Sequence, residues 1–347
     1  MGIGHLVRCL TLADAFTERG LVCHFLCKDH PGMAKNLIER KGHIFYILKL
    51  DDSFEGGSKY ENWIGSSQKK DASLCLRYMN NQSVSILVVD HYGLDQYWES
   101  RLAPYVGYII AIDDLVNRAH YCDVLVDATY GRIGEDYNNL CGEKTKLLMG
   151  SEYCFLRAGF SQLREQAKNK RERTTCITRI LINFGGTDPQ GYGVTTLNIL
   201  INNNIKVDID IVVGSSCLSL SELENISNNN KNIALHVDTE EVALIMYQSD
   251  FTIGSLGGSS WERCCLGLPS LTVMAAGNQQ CIAEVLAVSG ATKRIEFDVM
   301  AESINSIFEN SNDFSWWHEM SKKSFSICDG EGISNIISEI EGMFLWI

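Results

Sequence analysis

Ser249-Asp-Phe-Thr-Ile253 runs straight into Gly254-Ser-Leu-Gly-Gly-Ser-Ser-Trp-Glu262, and this stretch decides how the chain folds. A strand-like run, a glycine turn and the helical pattern Trp261–Gly267 follow in that order. A helix N-terminus placed this way leaves backbone N–H groups unpaired and pointing outward. The helix dipole and those donors both favour negative charge, and phosphate is the usual guest. The spacing matches neither G-x-G-x-x-G nor G-x-x-x-x-G-K-[ST], so it implies neither a dinucleotide fingerprint nor a P-loop. Glycines that merely permit a tight turn account for this stretch, taken alone, as well as a phosphate site does.

Working outward, strand and helix signals alternate along both halves of the chain. In the first half, a helical pattern from His5 to Arg19 precedes the strand-like Leu21–Cys27, and Gly32–Arg40 precedes His43–Leu48. A polar loop, the helical Lys69–Met79 and the buried run Val84–Asp90 follow, then Val106–Ile112 and Asp123–Val126, with acids at Asp113, Asp114 and Asp127. The second half reads as strands at Arg179–Phe184, Val207–Val213, Asn232–Leu235, Asp250–Ile253 and Ser270–Val273. Helices at Gly191–Ile201, Glu240–Tyr247, Trp261–Leu266 and Asn278–Val288 fall between them, and a mostly helical tail begins at Ala301. Asn-rich Asn225–Asn232 reads as a surface turn. Near-continuous apolar strands interleaved with helices predict an α/β fold with parallel sheets covered on both faces. The expected architecture is two doubly wound, Rossmann-like domains facing each other across a cleft, with ligand at the carboxyl ends of the strands. Residues 1–160 are expected to form the first, 179–347 the second, and the basic stretch 161–178 a solvated linker helix and connector.

Bulk properties narrow the function. A chain of 347 residues is long for one core, and 45% hydrophobic with 21% charged residues is a globular composition. A net charge of −13 argues against a dedicated nucleic-acid binder, which needs a basic stripe. No apolar run approaches membrane-spanning length, and the first residues do not read as a signal peptide. The thirteen cysteines are scattered without a C-x-x-C pair. Cys23-His24-x-x-Cys27-x-x-His30 is the one cluster that suggests a metal, but Leu21–Cys27 reads as a buried strand in which Cys acts as a small hydrophobe. Reduced thiols, a cytoplasmic location and no metal or cofactor are the expectation.

The chain opens on Met1-Gly-Ile-Gly-His5, a glycine turn entering a helix with no strand ahead of it. A doubly wound sheet ordinarily holds such a turn on a central first strand, so the natural start is expected upstream of Met1.

Several polar groups stand where chemistry would be done. His5 lies in the first turn of a helix, where the dipole opposes protonation and keeps the imidazole able to accept a proton. That suits a general base, although a capping or packing histidine fits the local sequence too. Arg8 shares its face and can hold an anion or pair with a carboxylate. Asp90-His-Tyr-Gly-Leu-Asp95 begins at a strand's carboxyl end. Tyr92 offers a hydroxyl there, and either Asp90 or Asp95 can cap the next helix. Asn183-Phe-Gly-Gly-Thr-Asp188 repeats the strand–glycine pattern. Glu262 can accept from both hydroxyls of a ribose or simply complement the dipole, and Asn278-Gln-Gln280 brings amides to the same rim.

Together, GxGHxxRCLTLA, VDHYGLDxxWE, AIDDLxxRxHxCDxLxD, LLMGSEYCFLR, ILINFGGTDP and GGSSWERCCLGLPSL, with Asn278-Gln279, resemble the UDP-sugar hydrolases of pseudaminic acid biosynthesis in content and order. The resemblance spans His5 to about Gly290. It implies a glycosyltransferase-B-like fold, a small-molecule UDP-sugar as substrate, and release of UDP from UDP-2,4-diacetamido-2,4,6-trideoxy-β-L-altropyranose to give the free sugar. It also implies roles by position: His5 as the base activating water, and Arg8, Tyr92 and Asn278 near the sugar and phosphates. Gly257, Gly258, Ser259 and Ser260 would hold the diphosphate beside Gly185, Gly186 and Thr187, with Glu262 on the uridine ribose. Two departures from the family are visible. The strand and Arg-x-Asp-x-Ser segment ahead of Gly2 are missing, and Ser255-Leu256 replaces an Ala-Gly step. Rival expectations are a UDP-sugar glycosyltransferase, an inactive nucleotide-sugar-binding remnant and, more weakly, a sugar-nucleotide 2-epimerase.

Overall fold

Parallel strands order both halves of the molecule, as their apolar runs predict. The computed structural model describes residues 4–30, 35–50, 54, 56, 59–79, 82–309 and 313–343. Two compact units divide them. One holds the residues up to Phe155 together with those from Gly332 onward, and the other is Leu156–Glu331.

The first unit carries β1 (His24–Lys28) and β2 (Ile44–Leu48) as a parallel pair, and β3 (Val84–Val89), β4 (Val106–Ile112), β5 (Val124–Asp127) and β6 (Lys146–Met149) as a four-stranded parallel sheet in that order. Helices cover both faces of the larger sheet. On one, Leu12, Ala15 and Phe16 of the opening helix Gly4–Thr17 share a cluster with Ile110, Val124, Val126 and Leu148. Ile336, Ile337 and Ile340 of the final helix Gly332–Met343 complete that cluster. On the other, Ala72, Cys75, Trp98 and Leu102 pack with Val89, Ile109 and Leu48. β5 is buried at every position, whereas β1 and β3, each paired on one side only among the described residues, stay largely half-buried.

The second unit is a six-stranded, all-parallel sheet: β7 (Arg179–Asn183), β8 (Asp208–Val213), β9 (Ile233–Val237), β10 (Phe251–Ser255), β11 (Ser270–Val273) and β12 (Lys293–Ile295), in the order β12-β11-β10-β7-β8-β9. This is the doubly wound order, and its reversal point lies between β7 and β10, where such sheets bind ligands. The two strands meet closely. A Cβ on Gly254 would stand 2.1 Å from the carbonyl oxygen of Asn183, so only glycine fits there. One core of Ile180, Ile182, Ile211, Phe251, Ile253, Leu271 and Trp317 fills the space under the sheet.

Several sequence expectations shift. The unit boundary differs at both ends from the division at residues 160 and 179. The stretch expected as a linker is the helix Ala158–Arg173, docked within the second unit. Its arginines find carbonyls rather than water. Arg164 donates to Cys265 O, Phe325 O and Cys328 O, and buried Arg171 to Met246 O, Ser249 O and Leu266 O. Cations suit these carbonyl-rich helix ends, and composition alone cannot show that. The final helix joins the first unit because its three isoleucines complete that core; a Cβ on Gly332 would meet Cys154 O at 2.2 Å. The Asn-rich segment is largely the helix Leu220–Asn229, not a turn. Asn229 and Asn230 donate to the carbonyls of Asn225 and Ile226, both at 2.8 Å, while Leu223 anchors the buried face. Strands β6 and β12 were not expected, since KLLM and KRI are too short to show a period.

Candidate active site

In the first unit the opening helix places His5 and Arg8 three residues apart on one face, beside the carboxyl ends of β3 and β4. Asp90, the residue after β3, meets both. His5 Nδ1 lies 2.6 Å from Asp90 Oδ1. Arg8 donates from Nε to Oδ2 and from Nη2 to Oδ1, each at 2.6 Å, and from Nη1 to Asp114 Oδ2 at 2.9 Å. Cys9 Sγ lies 3.5 Å from the same carboxylate. The Asp90 side chain is only 2% exposed. Burial alone would raise its pKa, but the Arg8 guanidinium and then His5 outweigh it and hold the carboxyl well below the usual range. Burial likewise opposes the charge on Arg8, and Asp90 and Asp114 more than restore it.

This geometry orients the histidine. The carboxylate at Nδ1, with Arg8 Nη2 also 3.2 Å from that nitrogen, suits an Nδ1–H tautomer whose Nε2 lone pair is left for another partner. Tyr92 stands edge-on to the imidazole with centroids 4.6 Å apart, and Tyr60 and Trp63 pack around Tyr92. The other local histidines are otherwise engaged. Burial and then His5 push His91 down to about 4, and its Nδ1 accepts from Gly93 N at 3.0 Å. His120 is buried against Glu99 at 2.8 Å.

The choice left open between Asp90 and Asp95 is resolved by position. Asp95 caps the helix Gln96–Leu102, accepting from Tyr97 N at 2.8 Å, while Asp90 holds the dyad. Arg8 commits its guanidinium to two carboxylates, which is the pairing role of the two open to it. Behind them, Tyr137 Oη lies 2.9 Å from Asp113 and 3.0 Å from Asp127. Val116, just beyond Asp114, adopts φ 53°, a left-handed conformation that β-branched residues avoid. Its N–H is held by Asp113 Oδ2 at 3.0 Å.

The second unit gathers the glycine loops at the reversal point of its sheet. After β10, Leu256 is buried and Gly257 leads into the helix Gly258–Cys265. After β7, Gly185 takes φ 94° and Gly186 O accepts from Gly214 N at 2.8 Å. Asp188 turns back to accept from Tyr192 N and Gly193 N at 3.1 and 2.7 Å, starting the helix Tyr192–Asn202. Thr187 is exposed beside it, and Gly258 is exposed with open space around it. Ser260 is turned inward, its Oγ accepting from Gly257 N at 3.2 Å, so its hydroxyl braces the loop from below. Ser259 is half-buried at the helix start. Glu262 pairs with Arg157 at 3.3 Å and keeps 15% of its side chain exposed.

The Asn278 side chain lies outside the described residues, as does Gly2 of the opening motif. Its neighbour Gln279 reaches the loop: Oε1 accepts from Ala275 N at 2.8 Å, and Nε2 lies 3.9 Å from where a Cβ on Gly257 would be. Sequence reasoning missed Asp90 as the partner of His5, Asp114 as its companion, and Arg263 beneath the glycine loop. The signal for Asp90 was present, since an acid directly after a buried strand was noted, but not its partner 85 residues away.

No family model matches the chain. The UDP-2,4-diacetamido-2,4,6-trideoxy-β-L-altropyranose hydrolase of Campylobacter jejuni is 25% identical over 291 residues, covering 84% of this chain and 93% of that protein. Among solved structures, MurG of Acinetobacter baumannii matches with a TM-score of 0.67 at 17% identity, over 99% of this chain and 97% of its own. The spinosyn rhamnosyltransferase SpnG matches at 0.64 with 12% identity, over 97% of each chain. At such identities these structures speak to fold alone, and the fold is glycosyltransferase-B-like.

Proposed function

Because the chain belongs at family level with the Campylobacter jejuni hydrolase, we propose that it cleaves UDP-2,4-diacetamido-2,4,6-trideoxy-β-L-altropyranose to UDP and 2,4-diacetamido-2,4,6-trideoxy-L-altrose. The observation that carries the reading is the 2.6 Å contact between His5 Nδ1 and Asp90. With the proton held on Nδ1, His5 Nε2 removes a proton from water as the water oxygen bonds to the anomeric carbon. The bond from that carbon to the UDP oxygen breaks on the opposite face, so configuration inverts. Asp90 stabilises the imidazolium that forms, and Arg8 keeps Asp90 ionised and in place.

The leaving UDP carries its charge to the second unit's loops. Backbone N–H groups around Gly257, Gly258 and Ser259, with Gly185, Gly186 and Thr187, meet the diphosphate at a helix N-terminus. Glu262, held by Arg157, is assigned to the ribose hydroxyls, and Tyr92 to the sugar. Every step is assigned to groups of the chain, which calls for turnover in the presence of EDTA.

A phosphorus and proton NMR time course with this substrate, with EDTA present, tests the proposal. The expected result is UDP together with a free sugar of inverted anomeric configuration. Transfer to an added alcohol in preference to water would make the protein a glycosyltransferase. His5→Asn should lose about 10²–10⁴-fold in turnover with a much smaller change in UDP affinity. Near-full turnover in that variant would remove His5 from the chemistry.

A further inference from the structure

Arg263 carries a buried positive charge that makes no ion pair among the described residues. It sits in the helix Gly258–Cys265, 2% exposed, three and four residues after Ser260 and Ser259. Helical side chains lean toward the N-terminus, and this one reaches the glycine loop. Nη1 donates to Ser259 Oγ at 3.2 Å, and Nη2 to Ser260 Oγ and Ser255 O, both at 3.0 Å. Among the described residues no carboxylate forms an ion pair with it, and the adjacent Glu262 is turned to Arg157.

Two other arginines show what a compensated charge looks like here. Arg8 has Asp90 and Asp114. Arg171 forms no ion pair among the described residues, but Asp250 favours its charge and it lies among the carbonyls of Met246 and Ser249, at the C-terminal end of the helix Val242–Gln248, where the dipole favours a cation. Arg263 has the reverse setting. Its guanidinium stands at the N-terminal end of a helix, where the dipole is already positive, and it meets two neutral hydroxyls and one carbonyl. Burial pushes its pKa down to about 10, which leaves it charged at neutral pH. An uncompensated buried charge costs several kcal/mol in general, and hydrophobic residues fill the surrounding positions Trp261, Cys264 and Cys265.

We propose that Arg263 is the positioning residue of a diphosphate site, its charge completed only when an anionic ligand lies on the Gly257–Ser260 loop. It acts from beneath. The guanidinium braces Ser259, Ser260 and the Ser255 carbonyl, so the loop N–H groups point outward, and it adds a full positive charge under them in a low-dielectric setting. The loop, the helix dipole and the arginine then all favour the same anion. The inference rests on the UDP reading only for what is attached to the diphosphate.

Isothermal titration of the full chain with pyrophosphate, UDP and uridine, on wild type and on R263M, R263Q and R263K, tests it. R263M and R263Q should bind pyrophosphate and UDP at least tenfold more weakly and uridine unchanged, with R263K between them and wild type. Because the replaced group is an unpaired buried charge, the thermal midpoint of R263M without ligand should be no lower than that of wild type. R263Q retains hydrogen-bonding groups and serves if R263M does not fold. Pyrophosphate affinity within threefold of wild type in a folded R263Q overturns the proposal, as does an equal loss of uridine and pyrophosphate, which would mark a purely structural arginine. Wild type that binds pyrophosphate but not UDP would sink the UDP reading and leave Arg263 standing. UDP-sugar hydrolysis and UDP affinity both unchanged in R263Q would do the opposite, and wild type that binds neither anion would overturn both.

Discussion

Replacing Asp90 with Asn removes one negative charge from the centre of the first unit's site while keeping the side chain's shape. In the native site the carboxylate meets His5 Nδ1, Arg8 Nε and Arg8 Nη2, all at 2.6 Å. An amide offers one acceptor oxygen, so its NH2 must face a donor from Arg8 or His5. Removing one partner of a buried ion pair costs about 3–5 kcal/mol. Arg8 keeps Asp114 at 2.9 Å, so the lower end applies, about 3 kcal/mol. For a unit of this size each kcal/mol moves the unfolding midpoint by about 2–4 °C, which gives a fall of about 6–12 °C.

The sign of the pH dependence follows from the depressed Asp90 pKa. Burial works against the charge, but Arg8 and then His5 hold the folded value well below that of a free carboxyl. Such a group contributes stability above its unfolded pKa, about 3.9, and loses that contribution as pH falls toward the folded value. The gap between wild type and D90N should therefore be full at neutral pH and narrow below about pH 4. Turnover should drop about 10²–10⁴-fold, because the imidazole loses the group that fixes its tautomer. Asp95→Ala is the control, losing a helix cap worth about 0.5–2 kcal/mol without touching turnover. Thermal melts from pH 3 to 7 and steady-state kinetics read both effects. Turnover in D90N within threefold of wild type, or a midpoint gap that widens on acidification, would refute the dyad.

Gly254→Ala should destabilise the second unit by about 1–3 kcal/mol, since its Cβ meets backbone at 2.1 Å, whereas Gly258→Ala, with open space, should stay within about 0.5 kcal/mol; urea melts of the pair check this, and equal effects would contradict the close β7–β10 approach. Glu262→Gln should weaken UDP and uridine alike by about 10–100-fold, the worth of a hydrogen bond to a charged group, and leave pyrophosphate binding alone. Titration separates this pattern from that of the Arg263 variants, and a parallel loss of pyrophosphate would take Glu262 off the ribose.

Much of the fold was legible because burial on both faces of a parallel strand writes itself into consecutive residues. Val106–Ile112 and Ser270–Val273 coincide with β4 and β11 for that reason. The glycine loop was legible too, since a strand, a turn and a helix start are all local. The three-residue strand Lys293–Ile295 holds too few positions for a period to show. The helix Ala158–Arg173 looked solvated because its arginines are satisfied by carbonyls from distant segments, and no composition reports those.

Local sequence alone determined the alternation of strands and helices, the placing of His5 at a helix start and the glycine turns after β7 and β10. Each depends on residues a few positions apart. Tertiary structure decided the rest. Sheet order sets Asp90 against His5 across 85 residues and Asp114 against Arg8 across 106, and turns Asp90 from a possible cap into half of a dyad. The reversal of strand order between β7 and β10 brings two separate glycine loops to one place and demands glycine at Gly254. Whether a buried arginine meets carboxylates, as Arg8 does, or hydroxyls and a carbonyl, as Arg263 does, depends on which elements pack around it, and that information exists only once the chain has folded.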